Sequence, residues 1–266
     1  ANSTNAIYGI DGSPVVKDIY FDDTPNDGTT NPRWRTILLG GLGAGGKGLY
    51  AIDITNPNSP THLFAISNDE SNKAIQHWGS NRFKNEFGYA GGSIDPKYDY
   101  RKLGEAWSTP KIIRIKVDGK DKWVAVFGGG YNGAVNPNVG SAIFVMDLED
   151  EGRLLKVIDI EDTANDIVNS LPADLSVITA NGTKKANYNG AMVYATDLEG
   201  KVTKINLTED FVIDTDQNSS TYNSIVRPVA SDKEVHQTTL FTAEATSANG
   251  RYIYTRPEVT INNDNN

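Results

Sequence analysis

The chain has 266 residues, 34 of them acidic against 25 basic, for a formal net charge of −9. A sequence pI of about 4.9 and scattered lysines and arginines argue against nucleic acid or an anionic membrane surface as partner. Cysteine is absent, which removes disulfides, and no apolar run is long enough to cross a bilayer. No secretory leader opens the chain at Ala1, as expected of a mature or excised segment.

The first predicted strand, SPVVKDIYF, opens at Ser13; proline cannot donate to a ladder, so it belongs at a strand start or an edge. An acidic turn, DDTPNDG at residues 22–28, reads either as a connection between strands or as a cation loop. Residues 34–57, WRTILLGGLGAGGKGLYAIDITNP, set two apolar runs, ILL and LYAIDI, on either side of a glycine cluster. Glycine permits positive φ and close backbone approach, so Gly41, Gly43, Gly45 and Gly46 form a structural turn between strands. Residues 68–107 are polar, glycine-rich and aromatic, and read as an inserted region on one face.

The cadence then repeats. A second opener, STPKIIRIKV, starts at Ser108, and KWVAVFGGGYNGAV and GSAIFVMDL follow within residues 122–148. The openers' prolines, Pro14 and Pro110, lie 96 residues apart (110 − 14), against roughly 40–50 for one propeller blade. That excess is the inserted region. A short helix is expected near residues 162–170, and a weaker opener, LPADLSVITA, starts at Leu171. NYNGAMVYATDLEGKVTKINL, residues 187–207, turns at Glu199-Gly200, and a further opener, YTRPEVTI, starts at Tyr254.

Recurrent strand, turn and strand units predict an all-β fold, a partial β-propeller with quinoprotein-like blades and an inserted loop region. Residues 1–266 form one propeller segment, with blade-like units at about 12–67, 108–160 and 171–207, and a fourth starting near 254. The insertion spans about 68–107. Closed propellers use about four to eight blades, so the chain is expected to sample a longer propeller or to close with a partner chain.

Few residues suggest chemistry. Asp214, Asp216 and Asn218 open DTDQNSS like a calcium loop, but the sixth-position glycine is missing and Ile225 stands where a bidentate Glu would close the site. The other reading is a solvated acidic loop. Trp78, Phe83, Phe87 and Tyr89, interleaved with basic residues, form either a recognition surface or cover for a blade edge. Asp53, Asp147 and Asp197 each end an apolar run and read as a recurrent structural aspartate. His62, His77 and His236 have no metal-ligand spacing. The glycine run leads into a strand where a dinucleotide loop needs a helix, and no nucleophile motif or paired acids stand out. No catalytic residue is expected.

The ordered segments SPVVKDIYF, WRTILLGGLGAGGKGLYAIDITNP, KWVAVFGGGYN and YATDLEGKVTKINL resemble the C-terminal propeller of the PilC/PilY type IV pilus tip-associated proteins, over about residues 12–258. The resemblance implies a non-enzymatic adhesin and pilus biogenesis module, extracellular at the pilus tip of a Gram-negative bacterium. Minor pilins would be its partners, with a host or abiotic surface as ligand, and neither nucleic acid nor membrane insertion is expected. That family carries a calcium loop of D-x-D-x-D-G type before the strand matched by residues 191–197. Here NGTKKANYNG, residues 181–190, offers two lysines and no carboxylate, so the loop is degenerate and calcium is expected only at residues 214–218 or 22–27. An alternative is a pyrroloquinoline quinone dehydrogenase propeller, suggested by the turn DLEGK at residues 197–201.

Overall fold

A computed structural model describes residues 9–21, 32–133, 139–160, 170–179, 190–208, 210–219, 222, 224–228, 237–246 and 248–260. Outside these lie the acidic turn at 22–28, all of the expected helix but Ser170, all of the degenerate loop but Gly190, and His236. The fold is all-β. Its first sheet runs in chain order through β1 (Val15–Phe21), β2 (Arg33–Gly41), β3 (Gly48–Asp53), β4 (Thr61–Asp69), β5 (Ala74–Trp78) and β6 (Lys84–Gly88). The inserted region is therefore more ordered than its composition implies. Its first half, β5 and β6, extends sheet one antiparallel to β4, and residues 89–107 continue as turns and bridges.

The second sheet contains β7 (Lys111–Val117), β8 (Lys120–Gly128), β9 (Ala142–Asp147) and β10 (Leu154–Asp159). The third contains β11 (Ser176–Ile178), β12 (Met192–Thr196), β13 (Lys201–Asn206) and β16 (Gln237–Thr242). Between β13 and β16 the chain leaves this sheet. β14 (Asp210–Ile213) and β15 (Ile225–Pro228) pair with each other, and β14 runs parallel to β7 at the edge of sheet two. This crossover ties sheet three to sheet two. Residues 251–260 form no ladder but lie along sheet three, where the Thr255 carbonyl accepts from Thr196 Oγ1 at 2.7 Å and the Pro257 carbonyl from Ser176 Oγ.

Strand alternation puts successive side chains on opposite faces, and two cores result. Ile19, Ile37, Leu39, Phe64 and Ile66 of sheet one bury against Ile112, Ala125, Phe127, Phe144 and Met146 of sheet two. The other face of sheet two, with Ile113, Ile115, Val124, Val126 and Val145, buries against Val193, Ala195 and Ile205 of sheet three. Sheet two is covered on both faces, as the unbroken apolar runs of β8 and β9 require.

The glycine-rich loops act between sheets. Gly43 N–H donates to the Ala106 carbonyl at 3.2 Å, and Ala106 N–H donates to the Gly46 carbonyl at 3.2 Å. One blade later, Gly130 N–H donates to the Leu171 carbonyl at 3.0 Å and Leu171 N–H to the Gly140 carbonyl at 3.0 Å. Gly43 and Gly130 carry φ of 58° and 83°, in the left-handed region that glycine enters freely. Ala106 and Leu171 each sit five residues before the first strand of the next sheet, Lys111 and Ser176. The two loops thus make one repeated backbone clasp, each gripping the linker into the following blade.

Candidate functional site

At the end of the third strand of each sheet stands one Asx residue with a fixed task. Asp53 Oδ1 accepts from Thr55 N–H at 2.8 Å and Thr55 Oγ1 at 2.5 Å, while its other oxygen meets the Arg35 guanidinium. Asp147 Oδ1 accepts from Glu149 N–H at 2.9 Å and Oδ2 from Lys122 Nζ at 2.8 Å. In sheet three the equivalent is Asn206, whose Oδ1 accepts from Thr208 N–H at 2.9 Å and Oγ1 at 2.6 Å. Register fixes the equivalence: Asp53 lies opposite Ile37, Asp147 opposite Val124 and Asn206 opposite Met192. The cations Arg35 and Lys122 stand two residues before those partners, where sheet three has Gly190. Carboxylate and cation are replaced together.

This corrects the expected trio. Asp197 does not hold the position of Asp53 and Asp147; it ends the second strand of its sheet and accepts from Lys201 N–H at 2.9 Å across the β12–β13 turn. The buried Lys201 ammonium pairs there with Glu199 at 2.9 Å.

Burial pushes the Asp147 carboxyl above the usual carboxylate range despite the Lys122 ammonium beside it. Asp53 goes the other way: burial raises it, but the Thr55 hydrogen bonds and Arg35 outweigh burial and hold it below 3.8. A depressed carboxyl contributes stability above its unfolded value and loses it as pH falls through the folded one. Urea midpoints should therefore fall between pH 7 and pH 3 in the native chain. An Asp53→Asn variant should start lower at pH 7 and fall less on acidification; an equal acid-induced fall in both would exclude this role for Asp53.

The glycine turn does its work through the clasp. A Cβ on Gly41 would stand 2.4 Å from the Ala106 carbonyl oxygen, and one on Gly45 1.6 Å from that of Gly9. The aromatic set splits. Phe83 is 74% exposed in the β5–β6 turn and Trp78 is half-buried on β5. Phe87 instead stacks on Tyr98 with centroids 4.4 Å apart. The Tyr89 hydroxyl donates to Asn68 Oδ1 at 3.0 Å, and the Arg101 guanidinium sits 6.0 Å over its ring. Burial, with Asp150 and Glu151 nearby, pushes the Tyr98 hydroxyl up to about 12. His77 Nε2 donates to the Glu151 carbonyl at 2.8 Å, and the buried Tyr100 hydroxyl donates to the Gly152 carbonyl at 2.6 Å. Phe87 and Tyr89 are thus packing residues that help to fasten the added hairpin of sheet one to the β9–β10 turn. Of the four, Phe83 is exposed, and Trp78, Phe87 and Tyr89 are half-buried.

The acidic loop satisfies itself. Asp214 Oδ1 accepts from Asp216 N–H at 2.9 Å, and Asp216 Oδ1 from Asn218 N–H at 3.0 Å. Among the described residues no three His, Asp or Glu side chains converge as metal ligands, and Asp214, Asp216 and Asn218 bring two carboxylates and one amide to this loop. A cleft of about 580 Å³ between β10 and the end of the added hairpin is lined by Glu70, Tyr89, Asp99, Arg101, Lys102 and Asp159. Arg101 pairs with Asp99, Lys102 with Asp159 and Glu70 with Lys47 from beside the cleft, and Lys73 lines it as well.

Three largely antiparallel sheets joined by a repeated backbone clasp define a β-propeller segment. The chain belongs to the family described as the PilY1 beta-propeller domain, whose sequence model matches residues 2–262. It is 28% identical over 209 residues to a type IV pilus biogenesis factor PilY1 homolog of Xylella fastidiosa, across 76% of this chain and 11% of that protein. It is 26% identical over 200 residues to the type IV pilus biogenesis factor PilY1 of Pseudomonas aeruginosa, across 75% of this chain and 13% of that protein. The chain thus spans about an eighth or less of the length of these curated relatives. Its fold is similar to the crystal structure of the Pseudomonas aeruginosa PilY1 C-terminal domain, with TM-score 0.54 and 23% identity, over 94% of this chain and 41% of that domain.

Proposed function

We propose that the chain is a non-enzymatic module of a type IV pilus biogenesis factor, acting outside a Gram-negative cell at the pilus tip. It would engage minor pilins and support attachment to a host or abiotic surface. The observation that carries this reading is the family match across residues 2–262. The quinoprotein alternative rests on the turn DLEGK at residues 197–201 alone. Trp123 Nε1 donates to the Tyr20 carbonyl at 3.2 Å, and Trp107 Nε1 donates to the Glu105 carboxylate at 3.0 Å on the surface.

Deleting the gene should reduce surface pili, and the intact gene should restore them. Normal piliation and attachment in the deletion strain would exclude the assignment. For attachment, a Trp78→Ser, Phe83→Ser double variant should leave the melting temperature nearly unchanged, because Phe83 is exposed and Trp78 half-buried. Loss of one aromatic hot spot is worth about 2 kcal/mol, roughly 30-fold in affinity. Surface binding by purified protein should fall by that order; unchanged binding would make the β5–β6 hairpin scaffold alone.

A further inference from the structure

Lys47 carries its ammonium between partners from two different sheets. Its Nζ donates to the Glu70 carboxylate and to the side-chain carbonyl of Asn132, 85 residues further along the chain. Backbone contacts hold each of the three in place. Lys47 stands one residue before β3, and its carbonyl accepts from Asn68 N–H at 2.8 Å. Glu70 directly follows β4, at the same end of the β3–β4 ladder. Asn132 follows Tyr131, whose N–H donates to the Glu105 carbonyl at 3.1 Å and whose carbonyl accepts from Glu105 N–H at 2.7 Å. The Lys47 and Glu70 side chains are largely withdrawn from water, at 21% and 27% exposure.

An amine, a carboxamide and a carboxylate in contact can do more than pair. The Cγ of Asn132 lies one bond beyond the oxygen that Nζ touches, and an amide carbon is open to an amine that has given up a proton. Fixing the two groups together turns a bimolecular step into a unimolecular one and raises their effective concentration by orders of magnitude. Glu70 already touches the same Nζ, which is where a general base has to stand.

We propose that Lys47 and Asn132 join in an intramolecular isopeptide bond, with Glu70 as the catalytic carboxylate. Glu70 takes one proton from the Lys47 ammonium, and the neutral Nζ attacks Cγ of Asn132. The Nζ–Cγ bond forms and the Cγ–Nδ2 bond breaks. The proton on Glu70 and a second proton from Nζ pass to the departing nitrogen, which leaves as ammonium and restores the carboxylate. No oxidant or further reactant is consumed. Glu70 also lines the cleft beside β10, which gives the leaving group a path to solvent. The bond ties the β2–β3 loop of sheet one to the loop after β8 of sheet two, on the seam that the Gly43–Ala106 clasp closes. A covalent tie across so long a loop limits how far the two sheets part when the chain unfolds.

The test is peptide mapping of the native polypeptide, denatured and then digested with trypsin. An unlinked chain is cut after Lys47 and yields residues 36–47, 48–73 and 123–153 as separate peptides. The linked chain is spared at Lys47 and yields one branched species, 36–73 joined to 123–153, lighter than those two together by one ammonia. Lys47→Arg and Asn132→Ala should abolish it. Glu70→Gln keeps the side chain's size but takes no proton, so after synthesis the branched species should form at least about a hundredfold more slowly. Separate, unmodified peptides from the native protein would leave an ion pair and overturn the proposal. Gly133 has no side chain to hinder attack by its own amide on the same Cγ, the route to a succinimide. Loss of ammonia confined to 123–153, with Lys47 cut, would be that ring and overturns the proposal as well. A branched species formed as fast in Glu70→Gln would overturn the role of Glu70.

Discussion

A Lys122→Met variant is expected to lose about 3 kcal/mol of unfolding free energy at pH 7, because removing one partner strands a buried charge. The Asp147 side chain is wholly buried, and its Oδ2 receives Lys122 Nζ at 2.8 Å. Methionine keeps much of the stem's volume but supplies no donor. The Asp147 carboxyl already lies above its ordinary value through burial, and loss of the ammonium raises it further. A carboxyl raised in the folded state costs stability above that folded value, and the cost disappears as pH falls through it and the group takes a proton. The deficit of the variant should therefore shrink on acidification, opposite to the trend expected at Asp53. Asp147→Asn alone should cost about 1 kcal/mol, since the amide oxygen still accepts from Glu149 N–H and Lys122, a quarter exposed, can turn to water. The double variant should recover at least about 1 kcal/mol relative to Lys122→Met, the signature of coupled sites in a double-mutant cycle. Sheet three already carries this solution, with Asn206 at the Asx position and Gly190 at the cation position. Urea midpoints within 0.5 kcal/mol of native for Lys122→Met, on the order of an ordinary surface change, would remove the pair from the scaffold.

Much of the architecture could be read from the chain because the strand and turn chemistry is local. The apolar runs at β2, β3, β8 and β9 and the glycine cluster between β2 and β3 carry the fold without knowledge of distant contacts. What glycine does there is not local. The clasp partners Ala106 and Leu171 lie far along the chain, so the sequence shows a tight turn where the structure shows a fastening between blades. The Asx equivalence was hidden for another reason: Asp197-Leu198-Glu199 spells the pattern of Asp147-Leu148-Glu149, whereas the residue doing the work is Asn206. The β5–β6 hairpin and the β14–β15 crossover were illegible because KNEFG and DFVI are short and largely lack alternation; ladder pairing, not side-chain pattern, makes them strands. The aromatic residues of 68–107 were visible as a group, but their division into packed Phe87 and Tyr89, half-buried Trp78 and exposed Phe83 depends on what each ring meets across the sheet interface.

Gly130→Val is expected to cost about 3 kcal/mol, and Gly43→Val a similar amount. Two physical terms combine. Valine at a φ of 83° or 58° occupies a backbone region that a β-branched L-residue avoids, at about 1–3 kcal/mol. The added Cβ would also stand 1.9 Å from the Glu105 carbonyl oxygen at Gly130, or 2.6 Å from Gly12 N at Gly43, so the loop must move and its inter-sheet hydrogen bond weakens by about 1 kcal/mol. Gly133 separates the terms: its φ is 65°, yet a Cβ there meets nothing within 4 Å, so Gly133→Ala should cost only about 1 kcal/mol. The clasp also predicts where each variant loosens the protein. Hydrogen exchange at the Ala106 amide, which donates to the Gly46 carbonyl, should accelerate in Gly43→Val while the Leu171 amide stays protected. Gly130→Val should release the Leu171 amide first and leave Ala106 comparatively protected, because each clasp joins a different pair of sheets. If both variants accelerated exchange equally at both amides, or if Gly130→Val cost no more than Gly133→Ala, the loops would be ordinary turns and the sheets would be held by their apolar faces alone.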